Sequence, residues 1–368
     1  MKLLPFQAVY PDFDYVASTD TFFSTVKIDY VEYKKSGFFQ KAAQEALYVY
    51  QIQTEKRTFT GLISCTDIKD YLSGKIKKHE NTLAPKEQQQ LNLLISRKAM
   101  VKPVLITYNE VSAISKIIQN VIKKNKVFFS CHLDDDSELH RIWEVSDGAV
   151  IQKLQKLFAK EVPHAYIADG HHRCAATALL YERTRKKKKK LADKLLCVYF
   201  PISELEIHDF NRVVVALEDC SATYLMARLS KIFDITPLRE PAKPSQKHEL
   251  TLCIHKEWYR LNWRKSILKE YQKTKVLLDA NMLDDKVMRD IIGILDVRTD
   301  KRMSYVEGPA GLEGIRRQLN KNENRIAFCL YPVYISDLIK IADFGKTMPP
   351  KSTWFVPRVK NGLVVAEI

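Results

Sequence analysis

The stretch Ile167-Ala168-Asp169-Gly170-His171-His172-Arg173-Cys174-Ala175-Ala176 decides how the chain is read: a short apolar strand, a tight glycine turn, then the opening of an alanine-rich helix. Gly170 lets the backbone turn closely against a ligand, and the free amides of a helix start can receive an anion. His171, His172 and Arg173 set side-chain donors beside those amides, so a phosphate suits the turn in both geometry and charge. Asp169, one residue ahead of the glycine, is placed to cap the helix, orient a histidine or hold a magnesium-bound water. Two other readings use the same residues: a capped helix whose histidines are satisfied at the surface, and a two-histidine metal site. Zinc needs further ligands that the sequence does not place, so no metal is assigned.

On either side of this turn, strand and helix patterns alternate. Residues 46–53 and 59–64 read as two strands joined by the polar turn Thr54-Glu55-Lys56-Arg57, a hairpin. Helical spacing falls over 86–98, 112–124, 148–159 and 174–184, and strands over 101–108, 127–133, 140–145, 165–168 and 195–200. Asp134-Asp135-Asp136 lacks the ligand alternation and glycine of a calcium loop and reads as a polar turn. Further on come a helix over 222–233 and a proline-rich stretch, 237–248, which is a linker or a surface excursion. Strands at 250–255 and 258–263, helices near 278–292 and 311–319, a strand at 325–330 and a helix at 335–342 complete the pattern. The consistent architecture is mixed α/β, with an N-terminal lobe over 1–220 and a C-terminal α/β lobe over 221–368.

Length and composition bound the function. A chain of 368 residues suggests about two domains. With 46% hydrophobic and 28% charged residues, it has ample material for a core, which excludes a disulfide-stapled miniprotein and global disorder. Met1-Lys2-Leu3-Leu4 meets Pro5 and Gln7 before a signal-length apolar segment develops, and the longest greasy stretch, 326–342, contains Pro332, Asp337 and Lys340. The seven cysteines form no Cys-x-x-Cys pair and sit in apolar surroundings. A cytoplasmic, membrane-free protein with reduced thiols is expected. The net charge of +15 favours an anionic partner. Seven of the positive charges, however, lie between Arg183 and Lys190, where the run Lys186 to Lys190 reads as a solvated segment. Nucleic acid is therefore not the favoured partner.

Three other segments carry polar chemistry. In Lys78-His79-Glu80-Asn81-Thr82, Glu80 is suited to accept an amine or a hydroxyl proton, while His79 and Thr82 are suited to orient substrate or phosphate; a helix-capping loop is the plain alternative. Asp209-Phe210-Asn211-Arg212 offers an arginine to an anion or to a salt bridge. In the stretch from Lys346, rigidified by Pro349 and Pro350, the residues Lys351, Ser352 and Thr353 are suited to close over phosphate or to dock the C-terminus.

Taken in order, Pro5-Phe6, Ala46-Leu47-Tyr48-Val49-Tyr50, Lys78-His79-Glu80-Asn81-Thr82, Ala168-Asp169-Gly170-His171-His172-Arg173 and Met348-Pro349-Pro350-Lys351-Ser352-Thr353-Trp354-Phe355 resemble the DUF1015 family, whose characterised relatives include free-serine kinases. The Gly170-His171-His172-Arg173 element also resembles the Gly-x-x-Arg phosphate box of sulfiredoxins and partition-protein nucleotide hydrolases, which implies a related nucleotide-binding core. His171 stands where a sulfiredoxin needs its cysteine, so sulfinic acid reduction is not expected. The resemblance implies a small-molecule kinase using ATP or ADP with Mg2+ and phosphorylating free L-serine or a related hydroxyl metabolite. It assigns phosphate contacts to Gly170, His171, His172, Arg173, Arg212, Lys351, Ser352 and Thr353, and acceptor contacts to His79, Glu80 and Thr82. Catalytic roles fall to Glu80, Asp169 and His172. Asn211 departs from the family, in which His-Arg is frequent, and the family's N-terminal acidic base has no secure counterpart, leaving Asp14, Asp20, Glu32 and Glu80 as alternatives. The competing expectation is a non-catalytic nucleotide- or metabolite-responsive regulator. A homodimer is compatible with either.

Overall fold

The computed structural model describes residues 1–135, 137–186, 192–218, 220–271 and 276–368. The chain is mixed α/β and divides into two units, Met1–Leu205 with Pro357–Ile368, and Glu206–Val356.

Nine strands build the sheet of the first unit: β1 (Leu3–Leu4), β2 (Leu47–Thr54), β3 (Thr58–Asp67), β4 (Ile76–Lys77), β5 (Val104–Tyr108), β6 (Phe129–His132), β7 (Glu138–Val145), β8 (Ala165–Asp169) and β9 (Lys194–Pro201). Their order is β4-β8-β5-β9-β3-β2-β7-β6, with β1 added against β3. β2 and β3 form the expected antiparallel hairpin. Leu47, Tyr48, Val49 and Tyr50 are all buried, as in a sheet covered on both faces. Gly61 permits the close approach of β9, since a Cβ there would lie 2.8 Å from the Tyr199 carbonyl oxygen.

Helices α1 (Thr19–Lys35), α2 (Ala84–Arg97), α3 (Ser112–Lys124), α4 (Gly148–Glu161) and α5 (His171–Thr184) belong to the same unit. Its core gathers Val49, Leu62, Ile106, Leu154, Phe158, Ile167 and Tyr199. Helix α1 lies in a stretch whose sequence gave no helix. Ser18 caps it, and Asp134 accepts from the Ser18 and Thr19 hydroxyls and the Thr19 and Asp20 amides.

Strand directions gather three connections at one end of this sheet. β4 runs parallel to β8, and β5 antiparallel to it. The segment after β4, the turn after β8 and the residues before β5 therefore share an edge. A register shift between Ile167 and Asp169 bulges β8 at its last residues, the device that re-aims a side chain at a strand end. Near the C-terminus, Ala366–Glu367 pairs with Ala99–Met100, and the Gly362 amide donates to the Val101 carbonyl at 2.7 Å. The final segment thereby runs beside the approach to β5.

The second unit holds an antiparallel sheet of β10 (Phe210–Val215), β11 (Phe233–Leu238), β12 (Glu249–Ile254), β13 (Glu257–Trp263), β14 (Met303–Glu307) and β15 (Arg325–Leu330), ordered β11-β13-β12-β15-β10-β14. Helices α6 (Ala222–Leu229), α7 (Gly311–Leu319) and α8 (Ile335–Asp343) accompany it. Two expectations are corrected, and one is decided between its two alternatives. The helix expected to reach residue 233 ends at Leu229, because Phe233 opens β11 and packs its ring 4.1 Å from that of Trp263. The 237–248 stretch joins β11 to β12 inside one unit and is a surface excursion, not a linker. The helix expected near 278–292 is a single α-turn, Asp279–Met282, continued by a π-helix over Leu283–Arg289.

No described helix is long and apolar enough to cross a membrane. The described cysteines are free thiols, all buried except the half-buried Cys220. Asp136 of the acidic turn and the lysine run beyond Lys186 lie outside the described residues.

Candidate anion site at the start of helix α5

Asp169 ends β8, and Gly170 turns the chain into α5 with φ of +114°, a conformation that only glycine adopts without strain. The Arg173 and Cys174 amides both donate to the Gly170 carbonyl, at 2.9 and 3.0 Å. That leaves the amides of His171 and His172 ahead of the first intrahelical bond, at the positive end of the helix dipole. Arg173 folds back over the glycine. Its Nη2 donates to Asp169 Oδ2 at 2.7 Å and its Nη1 to the Pro103 carbonyl at 3.1 Å. A Cβ on Gly170 would sit 2.6 Å from Arg173 Nη2, so the glycine is needed for this approach as well as for the turn.

Two further cations converge on the same carboxylate. Lys102 Nζ lies 3.5 Å from Asp169 Oδ2, and Arg358 adds its field to both groups. Burial alone would raise the Asp169 carboxyl, but Arg173, Lys102 and Arg358 outweigh it and hold the group well below the usual carboxylate range. Burial, reinforced by Arg173 and Arg358, pushes the Lys102 ammonium down to about 8, with Asp169 opposing. Arg173 and Lys102 beside one carboxylate at a helix N-terminus leave an excess of positive charge, which attracts an anion such as a phosphate.

The segment after β4 brings a second set of groups against α5. The His79 amide donates to His171 Nε2 at 3.4 Å, and the two rings meet edge to face with centroids 4.5 Å apart. With Nε2 accepting, the His171 proton resides on Nδ1, which faces Glu80 Oε2 at 3.7 Å. Burial pushes His171 down to about 4 and His79 well below its ordinary value, so both rings are neutral near pH 7. Burial, then Lys86, lowers His172, whose buried Nδ1 has no hydrogen-bond partner. Thr82 donates its hydroxyl to Glu87 and ties the segment to the first turn of α2. Of the four candidate bases, Glu80 is the one that faces a residue of the turn. Asp14 and Asp20 are exposed, and Glu32 pairs with Lys35 on α1.

Arg212, Lys351, Ser352 and Thr353 belong to the second unit. Arg212 is 1% exposed, donates from Nη1 to the Phe210 and Lys351 carbonyls and stands 3.7 Å from Asp284. Ser352 donates to the Pro349 carbonyl at 2.8 Å, and Lys351 lies over the Phe210 ring.

Among the described residues, no three His, Cys, Asp or Glu side chains group to hold a metal. Asp169, the carboxylate suited to magnesium, already faces Arg173 and Lys102. The residues present do not form a protein-held magnesium site. Lys102 and Arg358 were not legible as site residues: no local motif marks either; the pairing of β5 with β8 brings Lys102 to Asp169, and the C-terminal segment that carries Arg358 is tied down by the pairing of Ala366–Glu367 with Ala99–Met100.

A mixed α/β chain with a cation-rich strand-to-helix turn is what this geometry defines. The chain belongs to the family described as a protein of unknown function, DUF1015, whose model matches residues 10–296. No curated protein matches it. Similar solved structures include a free serine kinase in complex with AMP (13% identity, covering 80% of this chain and 87% of that one, TM-score 0.39). Others are C-terminally truncated SbnI from Staphylococcus aureus (10% identity, 81% and 85%, TM-score 0.41) and a conserved hypothetical protein from Pyrococcus furiosus (14% identity, 83% and 95%, TM-score 0.39).

Proposed function

We propose that the turn from Asp169 to Arg173, with Lys102 and Arg358, binds the phosphates of ATP or ADP, and that the protein transfers a phosphoryl group to a small hydroxyl metabolite. The observation that carries this reading is the pair of cations, Arg173 and Lys102, set against one carboxylate beside the first amides of α5. Arg173 and Lys102 stabilise charge on the phosphoryl oxygens, and the His171 and His172 amides orient them; alignment and charge supply most of such catalysis. Glu80 accepts the hydroxyl proton as the hydroxyl oxygen attacks the terminal phosphorus and its bond to the bridging oxygen breaks, so that ATP leaves as ADP or ADP as AMP, and neutral His171 holds Glu80 toward the turn. Magnesium, when present, comes with the nucleotide and offsets phosphate charge. Free L-serine as acceptor enters on the family resemblance.

The test is incubation of the purified protein with ATP or ADP, Mg2+ and a pool of hydroxyl metabolites that includes L-serine, read by mass spectrometry. A phosphorylated hydroxyl compound, strongly reduced with Glu80→Gln, is expected. Bound nucleotide with no product from any pool would overturn the kinase in favour of a nucleotide-responsive regulator, and absence of nucleotide binding would overturn both.

A further inference from the structure

Helices α3 and α4 of the first unit pack against each other and against one core. Each turns an apolar stripe inward: Ile114, Ile118 and Val121 from α3, and Ile151, Leu154 and Phe158 from α4. Their opposite sides therefore look out together. The charges on that outer face are of one sign. Lys116, Lys123 and Lys124 of α3 and Lys153, Lys156 and Lys160 of α4 are all exposed. The only carboxylate in either helix, Glu161, is taken up by Lys160 at 3.2 Å. Among the described residues, the other five lysines have no carboxylate partner.

Helix stability does not account for this pattern. Lys123, Lys124 and Lys160 stand in last turns, where cations answer the helix dipole. Lys116, Lys153 and Lys156 do not, and the like-charged neighbours Lys153 with Lys156, and Lys156 with Lys160, weaken an isolated helix. The rest of the face narrows the partner. No large apolar side chain of either helix is exposed, so the face offers no anchor to a protein interface or a membrane surface. Gln119, Asn120 and Gln152 lie exposed among the lysines and add neutral hydrogen-bond donors of the kind that phosphate backbones take. A helical rise of about 1.5 Å per residue sets Lys116 and Lys123, and likewise Lys153 and Lys160, about 10 Å apart, and packed helices lie about 8–10 Å from each other. About 10 Å of nucleic-acid duplex carries about six phosphate charges, so face and duplex are comparable in charge density.

We infer that the outer face of α3 and α4 binds the phosphate backbone of a nucleic-acid duplex without reading its sequence. The face lies wholly within the first unit and does not depend on the nucleotide reading. The test is titration of the full chain into a fluorescently labelled DNA duplex of about 20 base pairs, and into an RNA duplex of the same sequence, followed by anisotropy. The wild type should bind at least one of them with a Kd on the order of 10 μM at about 50 mM salt, and log affinity should fall against log salt with a slope of about −4, as for four to five phosphates. A duplex of unrelated sequence should bind within about twofold. The combined variant Lys116→Gln, Lys123→Gln, Lys153→Gln and Lys156→Gln should lose about tenfold or more in affinity and flatten the slope to about −1, with its melting temperature unchanged; Lys153→Gln with Lys156→Gln alone should lose about threefold. Changing the run Lys186 to Lys190 to glutamine should leave binding in place. Undiminished affinity in the combined variant would assign the binding to that run and overturn the proposal. So would failure to bind either duplex, a preference of more than about tenfold between unrelated sequences, or capture by phosphatidylserine vesicles without duplex binding.

Discussion

Replacing Gly170 by alanine separates the two jobs that this glycine does. At φ of +114° an L-residue is strained, and the new Cβ would meet Arg173 Nη2 at 2.6 Å and Nε at 2.8 Å, so the guanidinium must leave Asp169. Backbone strain costs about 1–2 kcal/mol, and loss of the charge-assisted bond from Arg173 adds about 1–2 kcal/mol. The sum, about 3 kcal/mol, corresponds to a fall of roughly 6–12 °C in the Tm of a unit of this size. Gly37→Ala is the control: φ there is +81°, but nothing lies within 4 Å of the new Cβ. It should show the strain alone, about 1 kcal/mol and roughly 2–4 °C. Calorimetry gives the stability difference, and titration of ADP gives the functional one. Gly170→Ala should also lose ADP affinity by on the order of tenfold or more, whereas Gly37→Ala should bind as the wild type does. Equal destabilisation in the two variants, or wild-type ADP affinity in Gly170→Ala, would refute the coupling of this turn to Arg173.

ADP affinity should fall as pH rises through about 8, where Lys102 gives up its proton, and Lys102→Arg should flatten that fall; titrations from pH 7 to 10 at constant ionic strength check this. Hydrogen bonds from Ser18 and Thr19 depress the Asp134 carboxyl from 3.8 to about 2, so its contribution to stability is present above pH 3.8 and lost as pH falls toward 2. Asp134→Asn should lower Tm near neutrality and remove that portion of the acid dependence, as read from melting curves over this range. Glu80→Gln should keep ADP affinity within about twofold while lowering turnover by on the order of a hundredfold, measured by product formation.

What was legible in the sequence was local. The strand, glycine and helix over 165–184 follow one another within twenty residues, and each carries its own signal, so both the turn and its suitability for an anion could be read directly. The hairpin at 47–67 was readable for the same reason. What escaped depends on chain returning from afar. Helix α1 buries Phe22, Phe23, Val26 and Tyr30 along a narrow stripe, and its cap is completed by Asp134, more than a hundred residues away. Lys102 precedes a strand as an ordinary surface lysine would, and Arg358 follows a proline near the C-terminus. Only strand pairing makes them neighbours of Asp169. Phe233 misled by continuing the apolar spacing of α6 while belonging to the next strand.

The central claim is that three cations brought together by the fold, not the Gly170-to-Arg173 motif alone, form the nucleotide site. Arg358, like Lys102, is a residue that no motif indicates, and it is the one brought in from the C-terminal segment, so Arg358→Ala tests the claim most directly. Calorimetric titration of ADP into the wild type, Arg173→Ala and Arg358→Ala, with each variant's unliganded melting curve as a check on folding, is the measurement. The account predicts binding by the wild type and a loss of about tenfold or more in each folded variant. Undiminished affinity in Arg358→Ala, or no ADP binding by the wild type, would contradict it.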